Sequence, residues 1–371
     1  LDPLGKFLGK FERLSIDQAA APATISRLDV YDSVVSTTIE TVGEPALPEV
    51  KMHLVPPNAP AAARVTGNTL CLKGRSSSFV RHVSIDIAGT PLAGAFRAGQ
   101  SFGVVPPGVD AHGRPHKVRL YSIASPTWGE DGHGRVFATT PKRLIVESAA
   151  TSAGEVLSHP RLFLGVCSNH LCDLAPGDPV QVTGPAGKRF LLPVDPSQHD
   201  FLFLATGTGI APFRGMLMEL LAGPPEGSPW RATWKRCSSR IELLMGSPYT
   251  SDLLYDEQLQ DLAKANPNFH YHPVISRERR ADGGRGEYVH QFLERRLADF
   301  EPMLRSPRTL IYVCGLAGMQ IGLFRLLAAK GHAAQYLTID ESIRDTPPDQ
   351  WSDEQIKRRV RHTHRCMIEV Y

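Results

Sequence analysis

Phe201-Leu202-Phe203-Leu204-Ala205-Thr206-Gly207-Thr208-Gly209-Ile210-Ala211-Pro212-Phe213 is the stretch on which the fold turns. Five consecutive apolar residues predict a strand buried on both faces, as in a parallel sheet. The Gly-rich turn then opens a run over residues 213–222 with helical spacing, and Pro212 suits a first helical turn, where no N–H partner is required. Strand, glycine turn and helix start in this order put backbone N–H groups and the positive end of a helix dipole where a phosphate would sit. The full G-x-G-x-x-G fingerprint is not met, because Pro212 occupies the third glycine position. By itself the stretch reads equally as a bare turn.

Toward the C-terminus the same rhythm repeats: residues 241–245 then 253–265, 270–275 then 288–297, 310–313 then 319–329. Buried strands alternating with helices predict a parallel sheet wound by right-handed crossovers. Toward the N-terminus, from about 65 to 195, the text changes to short β-branched runs between turns. Candidates are 80–87, 101–105, 118–123, 143–148 and 179–183. Strands at such spacing predict an antiparallel barrel, which closes its own edges. Residues 1–60 read as an extension or linker, with Ala19-Ala20-Ala21-Pro22, Val55-Pro56-Pro57-Asn58-Ala59-Pro60 and only a weak strand signal at 34–39. The expected organisation is 1–60 extension, 61–195 β-barrel and 196–371 α/β domain.

Composition agrees. At about 150 residues per domain, 371 residues make two domains and a half-domain. Apolar residues at 42% and charged residues at 21% exclude a disordered chain. Glycine and proline, 32 and 30 of 371, exceed the usual ~12% and exclude a helical bundle. A net charge of +3 is too small for a general nucleic-acid binder and would suit a local basic face. No apolar run reaches membrane-spanning length and no signal-peptide pattern opens the chain, so the expected compartment is cytoplasmic. The start at Leu1 rather than Met suggests a processed or truncated chain. Six sparse cysteines read as reduced thiols; Cys167-x4-Cys172 matches the start of a plant-type cluster site, but Ala175 holds the third ligand position. His270-Tyr271-His272 and His362-Thr363-His364 have no third ligand paired with them in the sequence and read as strand or surface histidines, so no metal is expected.

Three further segments carry chemistry. Arg119-Leu120-Tyr121-Ser122-Ile123-Ala124-Ser125 sets a cation, a ring and hydroxyls on a barrel strand, able to hold a phosphate and stack on a planar group. Gly165-Val166-Cys167-Ser168-Asn169-His170 opens a helix with small residues. Val313-Cys314-Gly315-Leu316-Ala317-Gly318-Met319 ends a buried strand, where open α/β sheets place ligands. Taken singly, Cys314 reads better as a structural thiol.

With Ala205–Pro212, and in this order, these segments resemble the plant-type ferredoxin–NADP reductase family. The resemblance runs from about Gly67 to Tyr371 and includes Gly184-Pro185-Ala186-Gly187-Lys188 and Ile368-Glu369-Val370-Tyr371. It implies an FAD-binding barrel followed by an NADP-binding α/β domain. By resemblance Arg119 binds the FAD pyrophosphate, Tyr121 stacks on one flavin face, Ser122 hydrogen-bonds near flavin N5, and Leu120 belongs to the same cofactor-binding segment. Gly165, Val166, Cys167 and Ser168 match the FAD phosphate segment, and Tyr371 matches the aromatic that covers the other flavin face and gates nicotinamide. Cys314 and Glu369 match the pair beside the nicotinamide, with Gly315 and Leu316 next to them. Thr208 and Gly209 would carry the NADP pyrophosphate, assisted by Lys142. Ser276, Arg277, Arg285 and Tyr288 would read the 2′-phosphate and adenine.

The implied activity is FAD-dependent NADPH oxidation, exchanging hydride with flavin and single electrons with ferredoxin or a flavodoxin-like carrier. One rival is the reductase component of a benzoyl-CoA epoxidase-type oxygenase whose iron–sulfur domain is absent; an upstream C-x2-C-x2-C-x3-C-P would identify it. Another is a non-catalytic scaffold. Three departures from the family stand out. Ile145-Val146 replaces Val-Tyr, removing an adenine-stacking tyrosine. His290 stands where glutamine is frequent. The stretch 340–365 is long and charged, and its Arg358, Arg359, Arg361 and Arg365 would suit an acidic carrier or a merely solvated helix face.

Overall fold

The computed structural model describes residues 44–370 other than 73, 75, 77, 111 and 148–161, so Tyr371 and the segments 19–22 and 34–39 lie outside the described residues. The barrel is built from β1 (Ala61–Leu70), β2 (Arg81–Asp86), β3 (Ser101–Val105), β4 (Arg119–Ser122), β5 (Val136–Thr139) and β8 (Pro179–Ala186). Between these last two lie a small pair, β6 (Ile145–Glu147) and β7 (Leu162–Leu164), and helix α1 (Val166–Asp173). The strand order is β4-β3-β8-β1-β2-β5, antiparallel throughout. Just beyond β4 the Ala124 N–H donates to the Ala138 carbonyl at 2.7 Å, so the outer strands meet and the sheet curls closed. Phe102 and Phe137 fill its centre with ring centroids 4.3 Å apart. The Pro-rich stretch at 55–60 also reaches this core: Val55 is buried and exchanges both backbone hydrogen bonds with Gly184, at 3.0 and 2.9 Å.

The second sheet is parallel, in the order β11 (Phe269–Ile275), β10 (Ile241–Ser247), β9 (Asp200–Thr206), β12 (Thr309–Gly315), β15 (Cys366–Val370). Its helices are α2 (Ile210–Leu217), α3 (Asp256–Ala265), α4 (Val289–Arg295), α5 (Leu297–Arg305) and α6 (Ala317–Ala329). Side-chain alternation divides the core. Phe201, Phe203, Leu310, Tyr312 and Cys314 join Phe213, Met216 and the barrel-side Phe190 and Ala98. Leu202, Leu204, Ile311 and Val313 face Phe292, Phe324 and Leu327. Each such side chain, fully buried, contributes about 1.5–3 kcal/mol. The remainder, α7 (Ala333–Tyr336), β13 (Leu337–Ile339), α8 (Glu341–Arg344), α9 (Asp353–Arg359) and β14 (Val360–His362), is pinned by buried Trp351, whose indole N–H donates to the Thr346 carbonyl at 2.9 Å.

Most expected elements are present, with shifted ends. The helix expected at 213–222 starts at Ile210, because Gly207–Gly209 already turn as a 3-10 segment. Its second half, Met218–Ala222, is a π turn that stops at Gly223, φ 77°. Of the strand expected at 143–148, Ile145–Glu147 forms β6, while the Arg143 N–H turns to the Phe79 carbonyl at 2.8 Å. β1 and β5 carry no run strong enough to have been expected. β11, an edge strand, contains Pro273.

Candidate active site

The parallel sheet grows from β9 in both directions, toward β10 on one side and β12 on the other. The crevice at this switch point is where such sheets take ligands. Here the turns after β9 and β12 touch through backbone. A Cβ on Gly209 would lie 2.1 Å from the Cys314 carbonyl oxygen, and one on Gly315 (φ 137°) would lie 2.1 Å from Thr206 Oγ1. The Leu316 N–H donates to that same Oγ1 at 2.9 Å. Close approach therefore leaves the crevice floor without side chains, and Leu316 stands exposed at its lip.

Three chemically distinct groups converge beside it. Cys314 at the end of β12 is the register partner of Glu369 on β15. From the barrel, the Ser122 hydroxyl at the end of β4 faces both the Cys314 thiol and the Glu369 carboxyl and favours the charged form of each. Thr139 Oγ1 donates to the Ser122 carbonyl at 3.0 Å and holds the strand end in place. Burial pushes the Glu369 carboxyl up to about 7, offset only in part by Ser122. Burial, and then Glu369, push the Cys314 thiol far above its ordinary range, so it is a neutral hydrogen-bonding group and not a nucleophile. A carboxyl that gains or loses a proton near neutrality is the one group of the three equipped to move protons.

On the barrel flank, Arg119 and Leu120 are exposed and Tyr121 is half-buried near the Cys167 thiol. Gly165 caps α1 so closely that a Cβ would lie 2.8 Å from Leu144 Cβ. The first-turn N–H groups of Val166, Cys167 and Ser168 have no partner within the helix. Leu120, Leu144, Ile145, Leu164 and Val166 form exposed apolar surface around them, at 44–63% exposure. A flat ring with a pyrophosphate fits this donor set and this apolar surface. On the other flank, the Glu287 N–H returns to the Ile275 carbonyl at 3.0 Å and Gly286 packs on the Ser276 carbonyl, which brings Ser276 to the segment leading into Tyr288, while the Arg277 guanidinium lies 5.9 Å from the Tyr249 ring centre. Tyr288 is 62% exposed. Arg280 is engaged by Asp282 and Glu287, whereas Arg277 and Arg285 have no carboxylate partner among the described residues. Two such cations and an exposed ring fit a phosphorylated adenosine.

Lys142 is exposed on the barrel, where its backbone bridges Val80. His270 and His272 lie on strand β11 and share a carboxylate partner from the neighbouring strand. The parallel register sets buried Glu242 opposite His270, and its oxygens lie 3.2 Å from His270 Nδ1 and 2.6 Å from His272 Nε2. Arg240 shares that carboxylate at 2.7 Å, so the cluster is an ion-pair network. No three-residue metal group occurs among the described residues, and no helix among them is long and apolar enough to cross a membrane. Sequence reading also missed Thr206 and the pair Arg214–Glu130; the signal available for Arg214 was a charge inside the apolar run Phe213–Leu217.

A family profile described as "Oxidoreductase NAD-binding domain" matches residues 203–323. The chain is 41% identical to the cyanelle ferredoxin–NADP reductase of Cyanophora paradoxa over 226 residues, covering 61% of this chain and 58% of that protein. Ferredoxin–NADP reductase of Picosynechococcus sp. is 34% identical over 325 residues, covering 87% and 72% of the two chains. The leaf isozyme 1 of Arabidopsis thaliana is 36% identical over 278 residues, covering 74% and 68%. Among solved structures, ferredoxin–NADP+ reductase from Plasmodium falciparum with 2′P-AMP superposes with a TM-score of 0.61 at 21% identity, covering 86% of this chain and 99% of that one. That likeness speaks to the fold, an antiparallel barrel joined to a parallel α/β sheet.

Proposed function

The chain belongs to the plant-type ferredoxin–NADP reductase family, and on that premise we propose that it is an FAD-dependent NADPH oxidoreductase that exchanges electrons with ferredoxin. The convergence of Ser122, Cys314 and Glu369 beside the switch-point crevice carries this reading. Bound FAD would exchange hydride with NADP(H) and pass electrons singly to the carrier. Arg119, Leu120, Tyr121 and the opening of α1 from Gly165 to Ser168 would hold it on the barrel. Thr208, Gly209, Gly315 and Leu316 would receive the NADP pyrophosphate and nicotinamide, with Ser276, Arg277, Arg285 and Tyr288 at the adenosine end. Ser122 and Cys314 orient the reacting rings by hydrogen bonds, and Glu369 holds or releases the proton. Tyr371, by family resemblance, would cover the flavin and gate nicotinamide. The parts divide as a barrel over 61–195 and an α/β domain over 196–371.

A flavodoxin-like protein is the other carrier that this chemistry would serve, and a reducing, cytoplasm-like compartment suits six free thiols. No observation favours an oxygenase partner, and the built site speaks against a non-catalytic scaffold. Purified protein should be yellow, and NADPH should bleach it far faster than NADH; a protein that cannot be reconstituted with FAD overturns the reading. NADPH-driven cytochrome c reduction with ferredoxin, flavodoxin or no carrier identifies the partner. Arg277→Ala should cost about 1–3 kcal/mol of NADPH binding through a lost charged hydrogen bond. Equal weakening for NADH would remove Arg277 from 2′-phosphate recognition.

A further inference from the structure

Helix α2 begins at the crevice and, one turn on, carries a buried cation. Arg214 is 9% exposed among Phe213, Met216 and Leu217, which are fully buried. Its Nη1 donates to the Ala124 carbonyl at 2.9 Å and to Glu130 Oε1 at 2.7 Å, and Nη2 donates to Glu130 Oε2 at 3.2 Å. Its Nε donates to Gln258 Oε1 at 3.1 Å, and the guanidinium lies 5.3 Å from the Tyr255 ring centre. The first two partners belong to the barrel and the last two to the α/β side.

The barrel end of this link is itself fixed. Glu130 Oε1 also accepts from Ser125 Oγ at 2.6 Å, and that hydroxyl accepts the Ala138 N–H at 2.7 Å. The next helical residue, Gly215, presses on the same segment: a Cβ there would lie 2.4 Å from the Ser125 carbonyl oxygen. Ala124 and Ser125 directly continue the strand that ends in Ser122. The opposite end of α2 continues the turn holding Thr208 and Gly209. One short helix therefore touches the supports of both walls of the reaction gap.

A buried ion pair is a poor source of net stability, since apolar residues of similar volume often serve as well or better. What a bidentate guanidinium–carboxylate pair supplies is fixed orientation and spacing. We propose that Arg214, locked by Glu130, is a positioning residue for hydride transfer, setting the distance between Ser122 on the barrel and Cys314 with the Gly209 turn on the parallel sheet. This inference rests on the oxidoreductase reading above.

The test uses the FAD-loaded protein and the variants Arg214→Met, Arg214→Lys and Glu130→Gln. Four quantities are measured: FAD content, NADP+ dissociation constant, rate of flavin reduction by NADPH, and alkylation of individual cysteines by mass spectrometry. Arg214→Met and Glu130→Gln should keep their FAD and bind NADP+ within threefold of wild type, yet reduce tenfold or more slowly. Cys314 should alkylate at least fivefold faster while Cys366, buried on the other face, stays protected. Arg214→Lys, which keeps the charge but loses the fork, should fall between. Unchanged reduction and unchanged Cys314 protection in folded variants overturn the proposal. So does simultaneous exposure of Cys314 and Cys366, which marks general loosening. If NADPH fails to reduce the FAD-loaded wild type, the functional reading falls, while Cys314 labelling in the variants still decides whether Arg214 sets the gap.

Discussion

Glu369 owes its character to where it is, not to what it is. Burial favours its protonated form, so between its ordinary value of 4.5 and about 7 the folded protein holds a proton that the unfolded chain has released. Bound protons are then lost on unfolding, and this site weakens the fold as pH rises through that window, levelling off above it. Glu369→Gln should flatten the slope of urea stability against pH there. It should also delete an inflection near pH 7 from the rate of flavin reduction by NADPH; an inflection that survives assigns the proton to another group. None of this is legible in the residue types. A serine on a strand, a cysteine in an apolar run and a glutamate near Tyr371 are each bland, and only the order of motifs brought them together before β12 and β15 paired them. Arg214 was missed because its partner Glu130 lies in a turn whose position depends on barrel closure.

Elements were legible where burial writes itself into composition. β9 and β12 carry continuous apolar runs, and β10 is broken only by Glu242 near its start, because both faces of a central parallel strand are covered. β1 escaped notice because Ala61-Ala62-Ala63 and Gly67 supply little pattern, and its register breaks between Val65 and Gly67 against β2. The glycine turn was read correctly as a turn, but the contact that makes its glycines necessary is not in the sequence. The two positions should behave differently. Gly209→Ala drives a methyl into the Cys314 carbonyl and should cost about 1–3 kcal/mol with loss of NADP+ binding. Gly207→Ala meets nothing within 4 Å and pays only for its left-handed φ of 54°, about 1 kcal/mol. Equal losses in urea melts of the two variants would discount the backbone contact.

For the whole molecule, the basic stretch near the C-terminus is engaged largely within the chain. Arg358 pairs with Glu354 and Arg359 with Asp340. Arg365 donates to the Ser306 carbonyl at 2.7 Å and the Thr309 carbonyl at 3.0 Å, and lies over the Tyr336 ring. Arg365→Ala should lower stability by about 1–3 kcal/mol and leave the salt dependence of ferredoxin reduction untouched; a changed salt slope would return it to the docking face. The parallel sheet has a further consequence at its other margin. β11 ends the sheet, and Pro273 in its middle pairs with Met245 while having no N–H of its own. A strand arriving from another molecule would find the ladder interrupted there, between His272 and Val274. Growth of this sheet by accretion, the first step toward fibrous deposits, is thus checked at its edge by a single imino acid.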